Sequence, residues 1–274
     1  MKRQLFLIIN NGGDSNPLPN VEVDKRNYLD FFQSPEGGYW NYDRTKNDQD
    51  ITVFENNFSL LILQENIKYH KKLQAPYDYI VIVFCGHGFS ENGEKWIEAK
   101  PTDKKDDYIS LAEIKDVCRG IRTLFIADTC LSIPERQVFS ESLQFGSFTD
   151  FGDETEYGNR CKQIYNESVM SVSKNNFTAA FAVSLGEEAS DNERGGFYSQ
   201  TLLQTAKKQI KELRGQTSML HYHILSFPQI HSFAAKEVIK LTNGNQHPSI
   251  EMTRKKEQLP FIIVPKNQNK RILY

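Results

Sequence analysis

His87 stands between Gly86 and Gly88, and Cys130 follows Asp128 and Thr129. Each group comes directly off an apolar run, "YIVIVFC" from Tyr79 to Cys85 in the first case and "RTLFIA" from Arg122 to Ala127 in the second. An imidazole and a thiol together can perform covalent hydrolysis. The thiolate is the attacking species, and a free thiol, with a pKa of roughly 8.5, is only slightly ionised at neutral pH. A neighbouring imidazole takes the thiol proton or later protonates a leaving amine. Gly88 offers a bare N–H that can help bind an oxyanion. The plainer reading is a loop histidine and a structural cysteine, and the elements carrying them bear on the choice.

Those elements alternate. Gln4–Asn10, Ile51–Glu55, Tyr79–Cys85, Arg122–Ala127, Phe177–Ser184 and Leu259–Val264 read as strands. Tyr79–Cys85 is apolar on both faces, as expected for a strand inside a parallel sheet covered on both sides. Asp24–Gln33, Phe58–Leu73, Phe197–Leu213 and Gln229–Leu241 read as helices, the second stopping before Pro76. Ser110 with Glu113 forms a capping box for a helix ending near Gly120. The alternation predicts right-handed crossovers and a mainly parallel α/β sheet of about six strands with helices on both faces. Sites in such sheets form beyond the carboxyl ends of the strands. Three buried strands end there in polar residues: Gly86-His87-Gly88, Asp128-Thr129-Cys130, and Leu185 to Asp191.

The chain of 274 residues carries a net charge of −2, which gives no reason to expect a nucleic-acid or bilayer partner. The N-terminal apolar stretch Leu5–Ile9 ends at Asn10-Asn11-Gly12, too early for a secretory signal, and no apolar run approaches a membrane span. The four cysteines, Cys85, Cys118, Cys130 and Cys161, show no zinc-type pairing and read as reduced thiols, so a cytoplasmic location is expected. Cys85, His87 and Cys130 supply three possible metal ligands with no matched fourth, so no metal is expected there. A single domain over residues 1–274 is expected. The segment 131–176, polar and acidic around "FGDETE", reads as one long loop insertion.

The order "IVIVFCGHG", then "LFIADTC", then "SLGEEASDNERGGFYSQTLL" resembles the caspase–metacaspase family of cysteine peptidases, its prokaryotic-type members included. The resemblance runs from the first strand to Gln246-His247-Pro248. It implies a caspase-like fold and a cysteine endopeptidase. Carried over position by position, it implies Cys130 as nucleophile, His87 as general acid/base, and the N–H groups of Gly88 and Cys130 as the oxyanion hole. The chain departs from the family in two places. Asp128-Thr129 stands where animal caspases have Gln-Ala before the cysteine. Leu131-Ser132-Ile133 replaces the Ser-Gly that commonly follows it in metacaspases, which puts the shape of the next loop in question.

Asp128 bears on specificity. A carboxylate at a buried strand end needs hydrogen bonds or a cation, and a substrate Arg or Lys can be that cation. The resemblance implies the same: metacaspase-like members carry Asp two residues before the cysteine and take a basic residue before the scissile bond. A second acid is expected among Glu187, Glu188 and Asp191, with Glu188 favoured by its offset from Ser184. The competing reading makes Asp128 an acceptor for loop N–H groups. The expected partners are a protein substrate with an exposed Arg or Lys site and an activating protein or signal. A place in a defence or cell-death pathway follows by analogy alone. No cofactor is expected; a calcium requirement stays open, although "GDETE" lacks EF-hand spacing. Arg136, Arg160, Lys162 and Lys174 are candidate sites of self-cleavage in the 131–176 segment. The alternatives are a catalytically silent caspase-like interaction module and a small-molecule-binding α/β domain. The second is disfavoured because Gly86-His87-Gly88 matches no phosphate-binding loop.

Overall fold

The structure, a computed structural model, describes residues 1–13, 17–42, 49–73, 75–100, 108–131, 154–214 and 222–265. Its centre is a six-stranded sheet. Chain order supplies β1 (Arg3–Ile9), β2 (Ile51–Glu55), β3 (Tyr79–Cys85), β7 (Arg122–Asp128), β8 (Phe177–Phe181) and β12 (Ser249–Met252). Their spatial order is β12-β8-β7-β3-β1-β2. All the pairings are parallel except that of β12, which closes one edge antiparallel to β8. Every residue of β1, β3, β7 and β8 is buried, which is why these strands read as unbroken apolar runs rather than alternating ones. β1 pairs with β2 on one side and β3 on the other, so the strand order reverses there, where open α/β sheets form their crevices.

A three-stranded antiparallel sheet extends from the end of β3: β4 (Gly88–Glu91), β5 (Glu94–Glu98) and β6 (Tyr108–Ser110). Its first turn uses Asn92 and Gly93 with φ of 53° and 80°, as tight hairpin turns require. The helices form two packed groups. α1 (Val21–Gln33), α5 (Phe197–Arg214) and α6 (Phe227–Leu241) pack with a two-stranded ladder of β11 (Tyr222–Ser226) and β13 (Pro260–Pro265); α2 (Leu60–Leu73) packs with α3 (Leu111–Val117). The expected capping box is present: Ser110 Oγ accepts from Glu113 N–H at 3.2 Å, and Glu113 Oε2 accepts from Ser110 N–H at 2.8 Å. No described helix is long and apolar enough to cross a membrane.

Two expectations are corrected. The last apolar run, read as a strand like the others, is β13, but it joins β11 instead of the main sheet. The sixth sheet strand is the half-buried β12. β13 is apolar because it is covered by helices and by aromatic rings, with Phe261 centred 4.7 Å from Phe31. The loop expected over 131–176 is a helix in its second half, α4 (Glu154–Met170). Cys161, Ile164, Tyr165 and Val169 repeat at helical spacing and are buried, and α4 packs on β13. Arg122, at the start of β7, closes the far end of this helix by donating to the carbonyls of Val172 at 2.5 Å and Met170 at 3.3 Å. Residues 132–153, with Arg136, lie outside the described residues.

Candidate active site

The parallel register of β3 on β7 opposes Cys85 to Asp128 at the last rung. Gly86 N–H continues the ladder by donating to Asp128 O at 3.2 Å. Beyond this point the two chains separate, one into Gly86-His87 and the other into Thr129-Cys130. Gly88 keeps them in contact. A methyl group there would fall 2.5 Å from Thr129 Oγ1, 2.5 Å from Trp96 O and 3.3 Å from Cys130 O. No side chain fits in that space, so the glycine is required by close approach and not by an unusual φ. Glu98 N–H donates to His87 O at 2.9 Å, and Gly88 opposes Ile97. Gly88 therefore sits in a non-hydrogen-bonded pair of the β4–β5 ladder, and its own N–H is directed away from β5. Ser90 Oγ donates to Leu131 O at 2.5 Å, a second tie between the hairpin and the Cys130 segment.

The segment after β8 crosses beside Cys130. Leu131 N–H donates to Glu187 O at 2.9 Å, and Gly186 N–H donates back to Leu131 O at 3.1 Å. This exchange carries Ala189 N–H to 3.3 Å from Cys130 Sγ. The thiol is pushed up from its ordinary pKa, mainly by burial. Ala189 N–H opposes that rise, and the carboxylates of Glu188, Asp128 and Asp191 add to it.

The acids divide into two sets. Glu187 turns away from Cys130. Its carboxylate accepts from Ser184 N–H at 3.2 Å and His247 N–H at 2.9 Å, and meets His247 Nδ1 at 2.8 Å. It fixes the loop to the 246–248 segment. Glu188 and Asp191 lie within electrostatic reach of Cys130, and Asp191 accepts from Asn20 Nδ2 at 3.0 Å. Asp128 is buried and accepts from Ser199 N–H, in the first turn of α5, at 2.7 Å. Burial pushes its carboxyl up to about 6, against the stabilising Ser199 hydrogen bonds.

A further acid stands beside Asp128. Asp24, on α1, is buried and accepts from Gly196 N–H at 2.9 Å, while its Oδ1 has no hydrogen-bond partner among the described residues. Burial first, and then Asp128, hold it well above the ordinary carboxylate range. Sequence reasoning missed it because Asp24 looks like a favourable first-turn acid of α1, and the helix macrodipole accounts for that without further cause. The only signal in the sequence was an acid on the same helix as Tyr28, Phe31 and Phe32, which face the core. Cys85 is fully buried beside Asp24, Asp128 and Ser199, in the interior. Among the described residues, no group of three or more His, Cys, Asp and Glu is arranged to hold a metal ion.

The family model of the caspase domain, Peptidase C14, matches residues 3–259, nearly the whole chain, and the chain belongs to that family of cysteine peptidases. In structure the chain is similar to caspase-1 from Spodoptera frugiperda, with a TM-score of 0.54 and 15% identity, over 97% of this chain and 92% of that one. At that identity the likeness is one of fold. No curated protein matches the chain in sequence.

Proposed function

We propose that this protein is a cysteine endopeptidase in which Cys130 attacks the scissile carbonyl and His87 transfers the proton, and that it cleaves after Arg or Lys. The observation that carries the reading is the β3–β7 register. It starts the His87 and Cys130 segments from one rung, and Gly88 packs the first against the second. In the proposed reaction His87 takes the thiol proton, and the thiolate attacks the carbonyl carbon. The oxyanion is then met by the N–H groups of Gly88 and Cys130. His87 returns the proton to the leaving amine, and water hydrolyses the thioester.

The preference for a basic residue is supported by the acids clustered next to Cys130, namely Asp128, Asp191 and Glu188, with Asp24 added to those the sequence suggested. Glu187 is withdrawn from this role because its carboxylate is occupied by Ser184 and His247. Activation by a signal or partner is supported by the resting state of the thiol. Burial and acidic neighbours disfavour the thiolate, and Ala189 lies against Sγ. Displacement of the 184–191 segment would free Sγ from Ala189, and with it the N–H that favours the thiolate. The same observation is the one that favours the second reading, a catalytically silent caspase-like module.

Cleavage of a peptide library by wild type and by Cys130→Ala tests activity and specificity together. An arginyl chloromethyl ketone separates the two readings: alkylation at Cys130 supports the peptidase, and an unmodified Cys130 under activating conditions supports the silent module.

A further inference from the structure

Asp24 and Asp128 are 2% and 8% exposed, and they approach one turn of backbone from two elements. A methyl group on Gly195 would fall 2.1 Å from Asp24 Oδ1, and one on Gly196 would fall 2.2 Å from Asp128 Oδ2. The glycine pair of β10 (Gly195–Gly196) thus admits both carboxylates to the main chain. Each carboxylate takes one N–H: Asp24 Oδ2 from Gly196 at 2.9 Å, Asp128 Oδ2 from Ser199 at 2.7 Å. Asp24 Oδ1 is sealed from solvent and has no hydrogen-bond partner among the described residues. The titratable groups facing the pair are Asp191 on β9 (Asp191–Asn192), Cys85 on β3, Cys130 beyond β7, Tyr28 on α1 and Tyr198 on α5. All of these are neutral or acidic.

Two ionised carboxylates cannot both stand uncompensated in such surroundings; like charges at one buried site drive one of them to keep its proton. We propose that Asp24 and Asp128 share one proton while the site is empty and release it to solvent when the guanidinium or ammonium group of a substrate binds, so that capture of a basic residue is coupled to proton loss. This rests on the reading of the site as one for basic residues. The exchange balances: a carboxylic O–H becomes a carboxylate facing the cation, the proton passes to buffer, and nothing is oxidised or reduced. The sign follows from the direction of the shifts. Both carboxyls are raised in the empty protein, and a bound cation lowers them again, so protons leave on binding and affinity rises with pH. A neutral side chain of the same shape offers no charge to exchange for the proton.

The test uses the full chain carrying Cys130→Ala, titrated calorimetrically with a product-like peptide ending in Arg and the same peptide ending in citrulline. Titration in two buffers of different ionisation enthalpy, between about pH 5.5 and 7.5, counts the protons released. The expected result is close to one proton per Arg peptide at the upper end of that range, where Asp128 is ionised and Asp24 keeps its proton, and none for citrulline. Affinity for the Arg peptide should rise up to about tenfold per pH unit there. Asp24→Asn is expected to abolish the release while Arg still binds; Asp128→Asn provides the same readout if the first variant does not fold. Tighter binding of Arg than of citrulline without proton release overturns the coupling and leaves the basic-residue reading standing. Equal or absent binding of the two peptides overturns both.

Discussion

His87 and Cys130 stand at the same offset, two residues beyond Cys85 and Asp128, which face each other across the last rung between β3 and β7. Neither group is placed by a long flexible loop. Each follows a fully buried strand, and the two exits are held together by Gly88 against Thr129 and by Ser90 against Leu131. The proposed chemical step between the two side chains would draw on the rigidity of the sheet centre.

Replacing Cys130 or His87 by Ala is expected to lower peptide turnover by about 10³-fold or more, with the double variant little worse than either single one, because the two groups act as a unit. Steady-state kinetics on a peptide with a basic residue before the cleaved bond checks this. Circular dichroism and thermal unfolding confirm that the fold persists. Full activity in either single variant rejects the roles proposed for them.

Asp128→Ala should lower kcat/KM for Arg peptides by about 10²–10³-fold, corresponding to loss of one side of a buried charge pair at about 3–5 kcal/mol. Citrulline peptides should be cleaved by wild type and variant within a few-fold of each other. A wild-type preference for Asp or for apolar residues would remove the basis of the prediction.

Asp128→Asn is expected to stabilise the empty protein at neutral pH. The folded carboxyl sits at about 6, above its ordinary value. The native state therefore holds a proton that the unfolded chain gives up, and the group's stabilising contribution is complete below about pH 4 and lost as pH rises through about 6. The amide keeps an acceptor for Ser199 without the charge. Denaturant unfolding should show a gain of about 1–3 kcal/mol at pH 7.5 and almost none at pH 4. A loss at both values would mean that the charge itself is needed by the fold.

Glu187→Ala removes an acceptor that serves Ser184 N–H, His247 N–H and the His247 ring. The cost should be about 1–3 kcal/mol, concentrated in the 184–191 segment. Hydrogen exchange is expected to speed up at Gly186, Ala189 and Leu131, while β3 and β7 amides stay protected. Unchanged exchange at those three amides would show that the His247 contact does not hold the loop.

Gly88→Ala should impair both the fold and the site. The added methyl would collide with Thr129 Oγ1 and Trp96 O, and only the former can turn aside. A loss of about 1–3 kcal/mol is expected, together with a larger fall in turnover than stability alone explains. Parallel melting curves and kinetics at a temperature where the variant is fully folded separate the two effects.

Much of this arrangement was legible in the residues. β3 and β7 declare themselves as double-sided apolar runs, and glycine flanking His87 marks the close approach that Gly88 makes. β12 was not legible, because "SIEM" alternates over only four residues, too short a run to stand out, and is half-buried. β13 looked like a strand of the sheet because an apolar run records burial and not which ladder supplies it. The β4–β5 hairpin had a readable signal in Asn92-Gly93, and α4 had one in Tyr157, Cys161, Tyr165 and Val169; both were obscured by the polar residues around them. Asp24 was not recoverable, since its meeting with Asp128 depends on how α1 packs and on nothing local. The same holds for Glu187, whose turn toward His247 joins residues 60 apart in sequence. Of the proposed cleavage sites, Arg160 and Lys162 fall inside α4, with Lys162 bound to Asp50 at 3.1 Å, and helical segments are poor places for nicking compared with exposed turns such as the one holding Lys174.

The interleaving of the sheet has a practical corollary. β7 lies before residue 131 and β8 after residue 154, yet they are hydrogen-bonded neighbours, and Glu36 takes both Tyr157 from α4 and Arg214 from α5. A chain cut once anywhere between 132 and 153 would therefore yield two fragments that share one sheet and one core. They would migrate together on a sizing column and part only under denaturing conditions. A cut chain would accordingly be told from an intact one by denaturing electrophoresis or intact mass, because native size would not reveal the difference.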